Sequence, residues 1–280
     1  MDEPTVGTIA QIWRYPVKSM RGEQVMAVSI GPQGLLGDRA LALREVSSGH
    51  LVSAKKWPRM LELRATYIHP PGLPLDLANV AIELPGAPTI AAADPALDGL
   101  LSRFLGLEVR LERSPGAARN KIGIDPATIF GDLAAAEVMR GLAPGTALPP
   151  TFGAPRGTFF DAAPIHLIAS GTLAHLGQLL DQPPPAARRF RPNLLIDTAG
   201  AGDGFVEDRW IGHALRMGDI EINQLKPTLR CVMTTHAQEE LARDLVILPT
   251  AARYHQALVG VTGKIIGSGQ IAVGDAIALR

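Results

Sequence analysis

The sequence predicts a mainly β protein with a few helices, an α+β chain built in two parts. Three observations predict it. The glycines (29) and prolines (23) are spread along the 280 residues as punctuation rather than gathered in one segment. Between them lie short β-type runs, some with period-two alternation. Apolar residues at helical spacing stand out in only two places, Pro95–Leu105 and Ser170–Leu180.

In the first half the runs are Val6–Trp13, Gln24–Ile30, Arg39–Arg44, Glu62–His69, Val80–Leu84 and Glu108–Glu112. Alternation shows in Val25, Ala27 and Ser29 against Met26, Val28 and Ile30, and in Val109 and Leu111 against their charged neighbours. Ser47-Ser48-Gly49-His50 reads as a hairpin loop. Leu97, Leu100, Leu101, Phe104 and Leu105 share one helical face, with Asp94 as the expected N-cap. This half is a mostly antiparallel sheet or small barrel with one helix.

Ser114–Asn120 interrupts the pattern and marks a boundary, and Leu142–Gly157, rich in proline and glycine, reads as loop. A strand is expected at Ile165–Ala169, then a helix carrying Leu173, Leu176, Leu179 and Leu180. The tail returns to strands at Asn193–Asp197, Ala214–Met217, Ile220–Leu225, Val259–Ile266 and Ile271–Leu279, with turns at Gly218-Asp219 and Val273-Gly274-Asp275.

Composition excludes whole classes of function. Hydrophobic residues at 46% and charged residues at 19% describe a packed globular chain, not a disordered one. Lys plus Arg (27) equals Asp plus Glu (27), so the chain lacks the basic excess of a protein that grips nucleic-acid backbone. Local basic pockets for small anions remain open. One cysteine, Cys231, cannot build an internal disulfide, a Cys-rich zinc site or a protein-ligated iron–sulfur cluster. The acidic start Met1-Asp2-Glu3-Pro4 is unlike a signal peptide, and no apolar run approaches the roughly 20 residues that span a bilayer. The expected location is the cytoplasm, with no membrane partner.

Several familiar signatures fail. Gly200-Ala201-Gly202-Asp203-Gly204-Phe205 lacks the third spaced glycine of a dinucleotide fingerprint, and Gly263-Lys264 lacks the P-loop's earlier glycine. No serine sits in a Gly-x-Ser-x-Gly elbow. His236 followed by Glu239-Glu240 reads as a helix start rather than a zinc motif.

Four constellations carry chemistry. Arg230 directly precedes the only thiol, and a neighbouring cation favours the thiolate, the form that binds metal or attacks electrophiles. A buried, inert core cysteine is the plainer alternative. With no second cysteine near, this thiol suits a lone soft ligand or a transient persulfide. Pro16 ends sheet pairing after the first strand, and Lys18 with Ser19 places an ammonium and a hydroxyl on the exiting loop. Arg39 closes a Gly-rich loop as an anion clamp or half of an ion pair. Arg191 and Asn193 flank Pro192 and, if both are extended, point to one face.

Taken in order, Tyr15-Pro16-Val17-Lys18-Ser19, Gly37-Asp38-Arg39, Phe190-Arg191-Pro192-Asn193, Arg230-Cys231-x-x-Thr234 and Val273-Gly274-Asp275 resemble the motifs of the MOSC family. The resemblance is to the group that joins an N-terminal MOSC β-barrel domain, here 1–115, to a MOSC domain, here 116–280. It implies a MOSC-type β-barrel that binds molybdenum cofactor, with Cys231 as metal ligand and catalytic centre. Lys18, Ser19, Arg39, Arg191, Asn193, Arg230 and Thr234 would hold the pterin and its phosphate. Asp161 matches an acidic position of the family, whereas Ala162 and Ala163 stand where relatives often carry hydroxyls, so fewer pterin hydrogen bonds are expected there. The implied activity is reduction of N-hydroxylated small molecules, such as amidoximes and hydroxylamines. Electrons would come from a separate ferredoxin- or flavoprotein-type donor. The family is also associated with pyridoxal phosphate binding. Two other classes stay open: a sulfur carrier holding a persulfide on Cys231, and a non-catalytic binding barrel. The second leaves Lys18, Arg39, Arg191 and Arg230 without a common purpose.

Overall fold

A computed structural model describes residues 3–114, 121–123, 151–153, 158–198 and 204–280. Residues 115–120 of the expected boundary and most of the Gly200–Phe205 motif lie outside these residues, and of the expected loop Leu142–Gly157 only Thr151–Gly153 is described, as a strand paired with Lys121–Gly123 rather than loop. The chain is mainly β, with three helices among the described residues, Leu97–Leu105, Ser170–Leu180 and Ile247–His255.

Seven strands close into a barrel in the order Leu194–Asp197, Ile165–Ala169, Leu258–Ile266, Ile220–Leu229, Leu215–Met217, Ala276–Leu279 and Thr5–Arg14. Thr5–Arg14 closes the ring by pairing back onto Leu194–Asp197, while Glu23–Val25 attaches to its outer side as an eighth strand. The only parallel pair in the sheet is Ile165–Ala169 with Leu194–Asp197, and the helix Ser170–Leu180 makes the crossover that such a pair needs. Leu167 and Ala169 enter the barrel core with Ile9, Ile12, Leu194, Ile196, Ile222, Val261 and Ile277. Ile168 points the other way, to a second cluster with Leu173, Leu176, Phe190 and Ile247 under the two helices.

The first half outside the barrel builds its own core. Leu41–Glu45 pairs with Val109–Arg113, and Arg64–Tyr67, Val80–Glu83 and Ile90–Ala91 form a small antiparallel sheet. Val17, Met20, Leu41, Leu43, Met60, Leu61, Ile82 and Leu101 pack between them. Met233 and the partly buried Cys231 join this cluster although they directly follow the barrel strand Ile220–Leu229. The thiol therefore sits where the two cores meet.

Four local expectations change. Gln24–Ile30 is two strands, Glu23–Val25 and Ala27–Gly31, broken at the 70%-exposed Met26. The second leaves the barrel sheet to pair with Gly269–Ala272. Asp94 does not cap the helix: its carboxylate accepts from the Ala96 amide in a turn before Leu97. The segment after His236 is a turn closed by the Gln238–Leu241 bridge, not a helix start. Arg191 has φ of 53°, so it and Asn193 do not share an extended face. The helix Ile247–His255 has no sequence expectation; Pro249 within it lies in the first turn, where a missing N–H costs nothing.

The crossover helix starts over a buried acid. Glu207 is 2% exposed and accepts from the Ala169 amide at 2.6 Å and from the Thr172 hydroxyl. Burial pushes its carboxyl up from 4.5 to about 7, although both hydrogen bonds pull the other way. A raised carboxyl favours the folded state fully below its unfolded value, and that advantage fades as pH climbs from 4.5 through about 7. Urea unfolding of wild type is expected to lose about 3 kcal/mol from this residue between pH 4.5 and 8. Glu207→Gln should flatten that part of the slope.

Candidate functional site

The site is assembled from loop ends that leave the barrel. The first strand stops at Arg14, and the Tyr15 amide donates to Asp38 Oδ1 at 2.6 Å. Asp38, 2% exposed, also accepts from Asn193 Nδ2 at 2.7 Å and pairs with the Arg39 guanidinium. One buried carboxylate thus ties together three of the sequence motifs. Gly37 makes the approach possible: its φ is +82°, and a Cβ there would lie 2.6 Å from the Tyr67 hydroxyl.

Tyr15 lies between two cations. The Arg191 guanidinium stacks on its ring at 4.2 Å and that of Arg39 at 4.6 Å, while Arg39 also lies 4.9 Å from the Phe160 ring. Burial pushes the Tyr15 phenol up to about 12 despite both arginines, so it stays neutral at physiological pH and donates to the Pro192 carbonyl at 3.2 Å. Arg191, in its left-handed conformation, reaches the Met20 carbonyl at 2.8 Å. Its Nη2 is buried without a hydrogen-bond partner among the described residues.

A second ion cluster faces the first. Lys18, 5% exposed, donates to the Phe159 carbonyl at 2.9 Å and pairs with Asp161, whose other oxygen lies 3.2 Å from Lys55 Nζ. Burial alone would raise the Asp161 carboxyl, but the two ammonium groups outweigh it and hold it well below the usual carboxylate range. Burial pulls the Lys18 ammonium down, and Asp161 opposes that pull. Asp161 therefore stays ionised throughout the physiological range, and its pairing is lost only in strong acid.

Cys231 opens a one-turn 3-10 helix, Val232–Thr235, and its carbonyl accepts from the Thr234 amide at 3.1 Å and the Thr234 hydroxyl at 3.0 Å. The preceding Arg230 donates to the Phe190 carbonyl and sits 3.3 Å from His166 Nε2. Burial pushes the Arg230 guanidinium down to about 10, and Cys231 is the largest opposing influence. For Lys55 burial also pulls down, but Asp161 and then Cys231 leave its ammonium raised. Arg230 and Lys55 are thus two cations close enough to Cys231 to interact with it electrostatically.

One cavity of about 340 Å³ collects these groups: Lys18, Ser19, Arg39, Asp161, Arg191, Asn193, Arg230 and Cys231 all line it. That is the lower end of small-molecule sites. Thr234 does not line it; fully buried, it acts through the Cys231 carbonyl. Asn193 lines it but spends its amide on Asp38, the Trp13 carbonyl and the His166 N–H. Lys55, His166, Phe160, Arg189 and Lys226 also line the cavity, and sequence reading missed all five. Lys55 and His166 sit in no chemical pattern along the chain, and only the fold brings them to the thiol.

Gly260 leaves room for His166, which lines the cavity. Its φ is +79°, and a methyl there would lie 2.5 Å from His166 Nε2 and 2.6 Å from the Leu167 carbonyl. Gly260→Ala is expected to cost at least about 2 kcal/mol, strain and clash combined, read as a lower denaturant midpoint.

These features define a closed β-barrel protein with a cationic, thiol-lined cavity at the seam with a second core. Residues 154–278 match the MOSC domain and residues 6–97 the MOSC N-terminal beta barrel domain. The chain belongs to the MOSC family. It is 25% identical over 246 residues to mitochondrial amidoxime reducing component 2 of Macaca fascicularis, covering 82% of this chain and 67% of that protein. It is 28% identical over 246 residues to mitochondrial amidoxime-reducing component 1 of Mus musculus and 28% over 247 to that of Homo sapiens, each match covering 82% of this chain and 66% of the relative. The chain thus spans about two thirds of the length of these relatives.

Proposed function

We propose that this chain is a molybdenum-cofactor oxidoreductase that reduces N-hydroxylated small molecules with electrons from a separate donor protein. The observation that carries the reading is the single cavity in which a half-buried thiol meets Lys18, Arg39, Arg191 and Arg230. The residues fit a metal-bearing group with an anionic tail. Arg191 Nη2, Arg230 Nε and Thr228 Oγ1 are buried donors with no protein partner among the described residues, the condition that a ligand's oxygens relieve. No group of three or more His, Cys, Asp or Glu side chains among the described residues is arranged to hold a metal ion. A metal at Cys231 would therefore take most of its ligands from the cofactor.

In this reading Cys231 is the protein ligand, and Lys18, Ser19, Arg39, Arg191 and Arg230 hold the pterin and its phosphate by charge-assisted hydrogen bonds. Asn193 keeps Asp38 and thereby Arg39 in place, and Thr234 fixes the turn that presents the thiol. When bound, the cofactor supplies a soft metal centre able to change oxidation state by two electrons. Substrate N–OH takes up two electrons and two protons, the N–O bond breaks, and water leaves. Asp161 lines the same cavity as the thiol with two ammonium groups on its carboxylate, so Lys55 Nζ is placed to hold a proton for the departing oxygen.

The direct test is molybdenum and released pterin per chain in protein made in cells competent for cofactor synthesis, together with reduction of an aromatic amidoxime by a chemical donor. Near-stoichiometric metal and pterin with turnover is the expected result. A well-folded chain with neither overturns the reading. A cyanide-labile sulfur on Cys231 would then point to a sulfur carrier instead.

A further inference from the structure

We propose that His166 is a positioning residue: it holds the Arg230 guanidinium in the cavity wall through a neutral acceptor, so that the arginine's charge stays uncompensated for an anionic ligand. The proposal rests on the cofactor reading above for the identity of that ligand, but not for the geometry of the pair.

The backbone of His166 is fixed from both sides by Asn193. Its N–H donates to Asn193 Oδ1 at 3.0 Å and its carbonyl accepts from the Asn193 N–H at 2.7 Å. The ring fills the slot that Gly260 leaves open, and the residue is 7% exposed. Nε2 lies 3.3 Å from Arg230 Nη1. An arginine has only donors, so Nε2 must be the bare nitrogen and Nδ1 the protonated one. Nδ1 accordingly faces the Arg191 carbonyl at 3.5 Å, a weak contact of the correct sense. Burial first, and the Arg230 charge second, push the imidazolium well below its ordinary range against hydrogen bonding to the Arg191 and Val259 carbonyls, which keeps the ring neutral.

Charge bookkeeping around the cavity shows why a neutral acceptor matters. Lys18 and Lys55 share Asp161, and Arg39 pairs with Asp38. Arg230 has no carboxylate partner: it hydrogen-bonds to a carbonyl and an imidazole and has Cys231 as its largest electrostatic influence, while Arg191 is met by a carbonyl and the Tyr15 face. A carboxylate at position 166 would satisfy Nη1 equally well but cancel its field. An aliphatic side chain would leave Nη1 buried without an acceptor. Histidine in one tautomer orients the cation and leaves its charge for the ligand.

The test uses the full chain labelled with 15N-histidine, with His166→Gln, His166→Asp and His166→Leu. Long-range 1H–15N spectra should show one ring with a protonated Nδ1 and a bare Nε2, unchanged from pH 8 to 5.5 and absent from every variant. Pterin per chain should stay within about twofold of wild type in His166→Gln, whose amide oxygen can accept. It should fall at least about tenfold in His166→Asp and His166→Leu. An Nε2-protonated or titrating ring overturns the proposal, as does wild-type pterin content in His166→Asp. If His166→Leu fails to fold, the Gln and Asp pair still decides. A wild type with no pterin sinks the cofactor reading alone. Titration of the apoprotein with inorganic phosphate then tests His166 by the same ranking, and equal affinity in wild type and His166→Asp overturns it.

Discussion

Cys231→Ala protein is expected to fold normally, to retain no molybdenum and to lose more than about a hundredfold in amidoxime reduction. Changes one shell out from a metal already cost about 10–100-fold, so loss of the ligand itself should exceed that range. The fold should tolerate the change because the thiol is only half-buried and accepts no structural hydrogen bond among the described residues; its backbone carbonyl, not its sulfur, holds the Thr234 turn. Metal analysis, pterin release and the thermal midpoint separate the outcomes. A variant that keeps stoichiometric metal would remove Cys231 from the ligand role, and one that keeps pterin but not metal would assign pterin and metal to different residues.

Asp38→Ala should be the most destabilising change near the cavity, by about 3–5 kcal/mol. The carboxylate is 2% exposed and serves the Tyr15 amide, the Asn193 amide and the Arg39 guanidinium at once. Removing it strands a cation whose side chain is only 12% exposed, together with two buried donors. Asp38→Asn keeps an acceptor for the Tyr15 amide and should cost about 1–3 kcal/mol. Guanidinium unfolding with an unchanged m-value is the measurement. A loss below about 1 kcal/mol in the alanine variant would mean that water replaces the carboxylate and that the motifs are not tied through it. Both variants should also release pterin more readily, because Arg39 and Asn193 lose their common anchor.

The chemistry was legible where it lies in consecutive residues. Arg230-Cys231 announces a thiol beside a cation, and Lys18-Ser19 follows the end of a strand, so both pairs could be singled out before any fold was known. The partners of those residues could not. Lys18 meets Asp161 across 143 positions, and Arg191 meets the Met20 carbonyl across 171. The Arg-Pro-Asn order suggested two side chains on one face, yet Arg191 turns left-handed and its guanidinium goes to Tyr15 while Asn193 braces the backbone. His166 was invisible for a simpler reason. In an apolar strand a lone histidine reads as core, and its role depends on which tautomer the facing arginine selects.

The sequence by itself determined a β-rich globular chain, one thiol, balanced charge and the residue types able to hold an anion. These follow from local alternation, from glycine and proline punctuation and from counting, all of which act over a few residues. The tertiary structure alone decided that the first strand closes the C-terminal barrel and that Cys231 lies where two cores meet. A strand's alternation says which face is buried, but its unpaired N–H and C=O groups accept any partner of suitable register. Which partner they find depends on closing the barrel's hydrogen bonds and burying both cores together. That closure brings seven cations and the Asp161 carboxylate from distant segments into one cavity with the thiol.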